Sequence, residues 1–335
     1  MKKMVTEIFR AIFVGLIMPI CMVILILNLS PTKAGGQQTI PTQTDATMDT
    51  TMEETTENGP TDEMISLKIS MIIDGEVIEL ELEEYVLAVV LGEMPSSFEI
   101  EALKAQAIVA RTYVLKACAD GMRHESAAVC NISSCCQAYR TPMEFLAFGG
   151  SQAELEKVTK AVLETSGEVL TYDGELITAT YFSCSGGTTE EALEVWGYDI
   201  PYLQSVESPG EEDSAAFARM ITISATELQE LLAVRLQGRP AEWFGNVTYT
   251  TGGGVATIEI GGVIYKGTTV RKLLKLRSTL FTIAVDGDTI LITTKGYGHR
   301  VGMSQYGANV MAVMGRDYKE ILSHYYTGTV LEQNR

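Results

Sequence analysis

The chain has 335 residues, and its 43 aspartates and glutamates outnumber its 25 lysines and arginines, which gives a formal net charge of −18 at pH 7. Proteins that bind nucleic acid hold the phosphates with clusters of lysine and arginine. We find no such cluster in this sequence, so the composition argues against a nucleic-acid partner.

An uncharged apolar block lies near the N-terminus, at residues 11–32. Its run AIFVGLIMPICMVILIL is long enough to cross a bilayer about 30 Å thick at about 1.5 Å per residue. We therefore predict a transmembrane anchor at 11–30. A cleavable secretory signal is the alternative, but the block is longer than a typical signal and no Ala-x-Ala site follows it. Basic residues precede the block, which places residues 1–10 in the cytoplasm and the rest outside.

Residues 31–63 are rich in threonine, glutamine, proline and acidic residues, and they show no hydrophobic period. Such a segment cannot bury enough apolar surface to offset the entropy lost on ordering, so we predict a flexible linker. Residues 64–335 then form the extracytoplasmic part, which has the size of one large domain or of two closely packed lobes.

The first predicted elements of this part are a hairpin and a short helix. Two alternating runs, at 67–73 and 77–82, flank Asp74-Gly75, a dipeptide favoured in tight hairpin turns. The helix is predicted over 85–91 and ends at Gly92.

A longer helix follows, because apolar residues recur every three or four positions over 101–113. The spacing predicts one buried stripe, formed by Leu103, Ala107, Ala110 and Val114. Ser96 and Glu99 have the spacing of a capping box ahead of this helix.

Capping and turn signals continue along the chain. They predict a helix from Ser151 to Gly167, strands at 168–172 and 175–182, a helix from Ser224, and a mainly β region at 247–294. Helices mixed with antiparallel hairpins indicate an α+β fold, and we expect one extracytoplasmic domain that contains a cleft.

Glu93 stands between the first two predicted helices, in the run Gly92-Glu93-Met94-Pro95. A carboxyl fixed there at the mouth of a cleft can act as an acid catalyst, whereas a carboxyl on an exposed loop is only solvated. Arg111 is the one cation on a small or apolar part of the following helix. It either pairs with a carboxylate or extends its guanidinium to solvent.

Three candidate metal ligands, His124, Cys130 and Cys136, stand at equal six-residue steps. Imidazole and thiolate are the usual zinc ligands, and three protein ligands leave one position for water or another side chain. The alternative is a disulfide from Cys130 to Cys135 or Cys136, which is common in exported proteins.

The run GYGHRVGMSQYGA at 296–308 combines glycines with aromatic, hydroxyl and amide side chains. Clefts that bind sugars use aromatic faces against the rings and polar groups against the hydroxyls. A tight turn with buried tyrosines has a similar composition, so the run alone leaves both interpretations open.

Several ordered blocks of the sequence resemble the family that contains stage II sporulation protein D and the amidase-enhancer proteins. The blocks are GEMPSSFEIEALKAQAIVARTYVL, CQAYR, TYFSCSGGTTEEALEVWGYDIPYLQSVESP, GYGHRVGMSQYGANVMAVMG and HYYTGT. They extend over residues 65–330. The membrane anchor and the short chain are more similar to the sporulation members than to the amidase enhancers.

The resemblance implies a lytic transglycosylase that cuts peptidoglycan glycan strands, preferentially those without stem peptides, to 1,6-anhydro-muramyl products. It implies a role in engulfment of the forespore, on the mother-cell membrane, with stage II sporulation proteins P and M as partners. The amidase-enhancer relatives imply the alternative, a non-catalytic peptidoglycan-binding protein that stimulates a cell-wall amidase.

The resemblance also assigns residues. The catalytic glutamate of the family falls on Glu93, which would act as both acid and base. The positions assigned to substrate binding or to support of the site are Arg111, Tyr181, His299, Gln305 and Tyr306.

His124, Cys130 and Cys136 match the zinc-binding pattern of clostridial members, and ligands on one loop favour a structural Zn²⁺; Cys135 is an extra thiol. Two positions depart from the family pattern. Arg300 stands where glycine is usual, and it is expected in the substrate groove or at its rim, whereas Cys184 lies in a Ser/Thr-rich stretch.

Overall fold

A computed structural model of the chain describes residues 67–334. The predicted cytoplasmic segment, membrane anchor and linker, at 1–10, 11–30 and 31–63, lie outside the described residues. Within 67–334, no helix combines the length and the apolar character that a bilayer crossing requires. The described residues fall within a single compact unit.

Helices and strands are mixed along the described chain, and the α+β prediction is confirmed. The helices, in chain order, are α1 (Leu82–Glu93), α2 (Ile100–Ala119), α3 (Pro142–Ala147), α4 (Gln152–Glu164), α5 (Ala192–Trp196), α6 (Ala225–Leu232), α7 (Gly267–Leu273), α8 (Gln305–Val313) and α9 (Tyr318–Tyr325).

The strands are mostly short. They are β1 (Lys68–Ile73), β2 (Glu76–Glu81), β3 (Val129–Cys130), β4 (Glu168–Tyr172), β5 (Glu175–Leu176), β6 (Tyr181–Phe182), β7 (Ala218–Ser224), β8 (Phe244–Tyr249), β9 (Val255–Ile260), β10 (Val263–Lys266), β11 (Phe281–Asp286), β12 (Thr289–Lys295), β13 (Met303–Ser304) and β14 (Val330–Gln333).

These strands form small sheets with the orders β2-β1-β3, β10-β9-β8, β11-β12-β7, β13-β6 and β14-β4-β5. Most pairs are antiparallel, as predicted, but β3 runs parallel to β1 and β13 runs parallel to β6. The second parallel pair sets Met303 opposite Tyr181 and Ser304 opposite Phe182. It therefore brings the glycine-rich run beside the strand that carries Tyr181.

The first hydrophobic core surrounds helix α2, which packs against α1, α4, α8, α9 and β4. Residues 105–112 of α2 are all buried, so the prediction of a single buried stripe is wrong. A helix that is apolar or small-sided all round is enclosed by its neighbours. The alanines of α2 let those neighbours approach closely, and its buried Thr112 hydroxyl donates to the Ile108 carbonyl at 2.7 Å.

A second, smaller core is formed by the sheets β11-β12-β7 and β10-β9-β8 together with α6 and α7. Its most buried side chains are Leu228, Val255, Ile258, Ile260, Val270, Ile290 and Ile292. The compact unit thus has two hydrophobic cores.

Two of the helix caps predicted from local sequence spacing are confirmed, and a third is not. The side chains of Ser151 and Ser224 both accept hydrogen bonds at the starts of α4 and α6, as predicted. Ser96 does not cap α2; its hydroxyl donates to Glu154 at 3.0 Å, and α2 begins at Ile100 without a side-chain cap.

Candidate active site and metal site

Glu93 is the last residue of helix α1, and it is not a free loop acid. The helix was predicted to end at Gly92, where the structure instead continues the helix by one residue. Gly92 has a packing role here: a Cβ on it would meet the carbonyl carbon of Ala138 and the nitrogen of Tyr139 at 2.9 Å each. The absent side chain therefore lets segment 138–139 lie against the end of α1.

This close approach places the backbone amide of Ala138 against Glu93, where it donates to Oε1 of the carboxylate. The Tyr181 side chain also hydrogen-bonds the carboxyl. Burial raises the pKa of Glu93 above its usual value, while the bonds from Ala138 and Tyr181 act in the opposite direction. The carboxyl is half-buried, so it keeps a proton at higher pH than an exposed glutamate does.

A chain of side-chain hydrogen bonds leads to Glu93 from inside the first core. The Tyr85 hydroxyl donates to Oε1 of Gln137 at 2.7 Å, and Nε2 of Gln137 donates to the Tyr181 hydroxyl at 2.9 Å. The Tyr181 hydroxyl is then left to donate to Glu93. Burial holds the pKa of Tyr181 well above its usual value, so this donor stays protonated.

His299 supports Tyr181 from the other side. Its Nδ1 accepts a hydrogen bond from the Val301 amide at 3.1 Å, and its ring also bonds the Tyr181 backbone. Phe182 and Trp196 pack their rings against the imidazole. Burial, with a further effect from the Arg271 charge, lowers the pKa of His299 to about 4, so the ring is neutral near pH 7.

Gln305 reaches the same place from the start of helix α8. Its Nε2 donates to the Glu93 carbonyl at 3.1 Å and to Oε1 of Gln106 at 3.3 Å. Tyr306 follows it and packs edge-on against Phe98, with 5.0 Å between ring centroids. The structure thus brings Glu93, Tyr181, His299 and Gln305 together.

Four further residues of this site were not predicted from the sequence: Tyr85, Gln106, Gln137 and Ala138. Gln137 and Ala138 lie in the block CQAYR, one of the blocks that resemble the family. Their partners are distant in sequence, and no local spacing marks them.

Arg111 lies elsewhere in the first core and is fully buried. Its guanidinium donates to both carboxylate oxygens of Glu83, at 2.8 and 2.6 Å, and to the Glu168 carbonyl at 3.1 Å. The sequence left two alternatives for Arg111, pairing with a carboxylate or extension to solvent, and the structure shows the ion pair. The ion pair with the partly exposed Glu83 holds helix α1 against α2, and Arg111 itself does not face solvent.

The candidate metal ligands lie together, and they include the extra thiol. Ligand atoms of His124, Cys130, Cys135 and Cys136 all lie within 4.8 Å of one another. The His124 Nε2 is 3.3 Å from Sγ of Cys136 and 4.0 Å from Sγ of Cys135, and the two sulfurs are 4.0 Å apart. Zinc–ligand bonds of about 2.0–2.3 Å in a tetrahedron require separations of roughly 3.3–3.8 Å, so the donor set fits a metal ion.

No disulfide joins the cysteines of the described residues. Cys130 lies on β3, which pairs with β1, and Cys135 and Cys136 lie in a turn whose amides both donate to the Ile132 carbonyl. The chain passes directly from Cys136 to Gln137 and Ala138. The metal-ligand cluster is therefore continuous with the segment that holds Glu93.

The two departures from the family pattern are both interior residues. Arg300 is fully buried, so its expected place in the substrate groove or at its rim is wrong. Its backbone φ of +68° lies in the left-handed region, which explains why glycine suits this position. Cys184 donates its thiol hydrogen to Oε2 of Glu211 at 2.9 Å, and burial keeps the pKa of the thiol high.

Comparison with known proteins gives a consistent result. A family model described as SpoIID, stage II sporulation protein, matches residues 74–172. Stage II sporulation protein D of Bacillus subtilis (strain 168) is 40% identical over 274 residues, which cover 80% of this chain and 79% of that protein. The protein of the same name from Bacillus amyloliquefaciens is 39% identical over 290 residues, or 84% of each chain.

A more distant likeness is to a protein named as an amidase enhancer. The amidase enhancer of Bacillus subtilis (strain 168) is 28% identical over 301 residues, which cover 72% of this chain and 39% of that protein.

Proposed function

Because this chain belongs to the stage II sporulation protein D family, we propose that it is a peptidoglycan lytic transglycosylase with Glu93 as its acid catalyst. The supporting observation is the environment of the Glu93 carboxyl. Burial favours its protonated form, and Ala138 and Tyr181 supply hydrogen bonds to its ionised form. A carboxyl that must give up a proton and then take one back needs both influences.

In the proposed reaction, protonated Glu93 gives its proton to the oxygen that leaves C1 of a muramic acid residue, and the bond from C1 to that oxygen breaks. The C6 hydroxyl of the same sugar attacks C1 and passes its proton to the Glu93 carboxylate, so that a C1–O6 bond forms. The products are a 1,6-anhydro sugar and a strand with a free hydroxyl. One carboxyl suffices, whereas glycoside hydrolases use two.

The neighbouring side chains have supporting roles in this scheme. Tyr181 donates to Glu93 while the carboxylate is charged, and neutral His299 holds the Tyr181 backbone in place. Gln305 fixes the Glu93 carbonyl. We assign the ring of Tyr306, next to Gln305, to contact with sugar, and we assign Arg111 an indirect role through its ion pair with Glu83.

We assign Zn²⁺ to the cluster of His124, Cys130, Cys135 and Cys136. Four protein ligands complete a tetrahedron, which is the pattern of structural zinc sites, whereas catalytic sites keep one position open. The ion would supply structural cross-linking there, and Gln137 and Ala138 take their positions from the residues it holds.

The biological setting completes the proposal. The family name places the protein in sporulation, and we propose that it acts during engulfment of the forespore, on glycan strands without stem peptides. It would be anchored in the mother-cell membrane by residues 11–30, with residues 64–335 outside and with stage II sporulation proteins P and M as partners.

The deciding experiment is a digest of denuded glycan strands with residues 64–335, analysed by mass spectrometry. We expect 1,6-anhydro-muramyl products from the wild type and a loss of at least about 10³-fold in Glu93→Gln, because removing a general acid removes most of the rate. Glu99→Gln, an exposed acid nearby, serves as the control and should cut normally. Retained cutting by Glu93→Gln would remove Glu93 from this role.

The likeness to an amidase enhancer supports a second candidate, a non-catalytic peptidoglycan-binding protein that stimulates an amidase. For that function the wild type would bind strands and yield no anhydro product, with or without the amidase. The same digest separates the two functions.

A further inference from the structure

A strongly basic region lies within this acidic protein, so the statement that the sequence has no cluster of lysine and arginine is wrong. No aspartate or glutamate occurs between Glu259 and Asp286. That interval contains five cations, which are Lys266, Arg271, Lys272, Lys275 and Arg277. The cluster is hard to recognise in the sequence because apolar residues of the second core separate its members.

In the fold, most of these cations line one open cavity of about 520 Å³. Its lining consists of Arg219, Thr268, Arg271, Lys272, Lys275, Leu276, Arg277 and Tyr297. Arg219 comes from β7, at the far side of the β11-β12-β7 sheet from β11. The cavity therefore has cations from two separate parts of the chain.

The cations of this cavity have no carboxylate partners among the described residues, since none of the ion pairs found there includes them. Arg277 donates to the Ala215 carbonyl at 3.1 Å and lies over the Tyr297 ring, 5.1 Å from its centroid. Arg271 is half-buried. Five like charges around one cavity repel one another, and an anionic ligand would relieve that repulsion.

The cavity adjoins the candidate active site. Its Tyr297 exchanges backbone hydrogen bonds with Cys184, at 2.7 and 3.1 Å. Cys184 lies three residues after Tyr181, a separation of roughly 10 Å at about 3.3 Å per residue of extended chain. His299 lies two residues after Tyr297 and feels the charge of Arg271. A strand held at Glu93 would thus have neighbouring sugars near the cavity.

We propose that this cavity binds the free lactyl carboxylates of peptidoglycan strands from which the stem peptides have been removed. Each muramic acid carries one lactyl group, whose carboxyl is amide-linked to the stem peptide and becomes a carboxylate when that peptide is cut off. Denuded strands are therefore regular polyanions, and substituted strands lack these charges at the same positions. The inference rests on the proposed function, because the position of the cavity matters only if glycan lies at Glu93.

The chemistry of the lining suits a carboxylate on a sugar. Arginine binds carboxylates with paired, charge-assisted hydrogen bonds, and lysine adds a point charge. Tyr297 offers an aromatic face, and it is 47% exposed. The volume lies within the usual range of about 300–1,000 Å³ for small-ligand sites.

The test measures affinity in the Glu93→Gln background, so that strands are not cut. The probes are denuded strands, the same strands with their carboxylates converted to primary amides, and poly(glycerol phosphate). Lys272→Gln/Lys275→Gln changes two exposed cations of the cavity, and Arg271→Gln changes a third. Arg235→Gln/Arg239→Gln is the matched control, because it removes two exposed cations of the same part of the chain that do not line the cavity.

We expect denuded strands to bind the cavity variants about tenfold more weakly, since losing one charge-assisted bond has roughly that effect. The control should change affinity by less than about twofold, and amidated strands should bind all proteins equally weakly. Equal wild-type affinity for amidated and denuded strands would overturn the proposal. So would a loss confined to poly(glycerol phosphate), which would indicate a site for phosphate polymers.

The binding result is independent of the digest. If Glu93→Gln still cuts but the cavity variants bind weakly, the catalytic assignment fails and the carboxylate site stands. If the wild type makes anhydro products and the cavity variants bind normally, the carboxylate site alone fails.

Discussion

At Glu93, burial and hydrogen bonding act on one carboxyl in opposite directions. Burial is the larger influence and raises the pKa, whereas Ala138 and Tyr181 lower it. In the proposed reaction the same group has to release a proton and then accept one. The side chains that set this balance are therefore the ones whose replacement should move the pH dependence of activity.

Tyr181→Phe removes a donor that lowers the pKa of Glu93, so the pKa should rise further. Strand cutting needs protonated Glu93, so its rate falls as the pH rises through the pKa of Glu93. The falling limb of the pH profile should therefore move to higher pH in Tyr181→Phe. The rate at the optimum should drop by about 10–100-fold, because a hydrogen bond to a charged group is worth about 1.5–3 kcal/mol.

A pH profile of initial rates checks this, with Tyr265→Phe as the control. Tyr265 is half-buried against the second core and should leave the profile unchanged. A falling limb that stays in place or moves to lower pH in Tyr181→Phe would contradict the assigned hydrogen bond.

Gly92→Ala tests the close approach of segment 138–139 to the end of α1, beside Glu93. The new Cβ would meet backbone atoms of Ala138 and Tyr139 at 2.9 Å, so the segment must move away from α1. We expect a loss of about 1–3 kcal/mol in the free energy of unfolding, together with reduced cutting. Denaturant unfolding measures the first. Adding Ala138→Gly should not rescue the variant, because the clash is with backbone; rescue would show that the clash was assigned to the wrong atoms.

At the scale of elements, the stretch from β3 to Ala138 has little regular structure of its own. It is held by the short pairing of β3 with β1, by a turn at Ile132, and by the cluster of four candidate ligands. Yet its end supplies Gln137 and Ala138 to the candidate active site. A metal ion would add the cross-links that this stretch lacks.

We expect purified protein to contain about one zinc per chain, and Cys130→Ser to lose it. Cys135→Ser should weaken zinc binding by at least about tenfold, because it opens one position of a four-ligand site. Metal analysis after dialysis measures both. Cys118→Ser is the control, since Cys118 is exposed and outside the cluster. A disulfide between Cys130 and Cys136 in metal-free protein would contradict the assignment.

Elements whose signals are local were predictable from sequence, and those that depend on distant partners were not. The side-chain caps at Ser151 and Ser224 need only four consecutive residues. Ser96 and Glu99 have the same spacing, but Ser96 bonds Glu154, 58 residues away, and tertiary contact overrides the local signal. Helix α2 was found by its period, but its complete burial depends on the neighbours that surround it.

The same division applies to the site. Glu93 could be selected from the sequence because it lies in the run Gly92-Glu93-Met94-Pro95 between two predicted helices. The family resemblance then assigned it the role of catalytic glutamate. Its hydrogen-bond chain joins Tyr85 to Gln137, which are 52 residues apart, so no spacing in the sequence indicates the contact. Arg300 was placed in the wrong environment because a charged residue in a glycine-rich run ordinarily lies at the surface.

At the scale of the whole molecule, Arg300 links the two hydrophobic cores. It forms a fully buried ion pair with Glu190 at 2.9 Å and donates to the carbonyls of Ser185 and Thr188 at 2.7 Å each. It also donates to the Gly252 carbonyl at 2.6 Å, in the turn between β8 and β9 of the second core. Arg300 thus holds the β8–β9 hairpin of the second core against the chain near the candidate active site.

Arg300→Gly should lower the free energy of unfolding by about 3–5 kcal/mol, because it leaves Glu190 buried without its cationic partner. Arg300→Gly/Glu190→Gln should recover much of that loss, since it removes the charge and suits the left-handed backbone. Thermal or denaturant unfolding of the single and double variants gives the coupling. If the changes in the free energy of unfolding simply add, Arg300 and Glu190 are not energetically coupled.

The buried pair also limits how position 300 can change in proteins of this fold. Replacing either partner alone leaves an unpaired charged group in the interior. An ancestor that changed one of the two residues first would therefore have had a less stable fold. Exchange between glycine and arginine at this position is therefore a two-step change that includes Glu190. Among homologous sequences, arginine at position 300 should accompany an acidic residue at position 190, and glycine should accompany a neutral one.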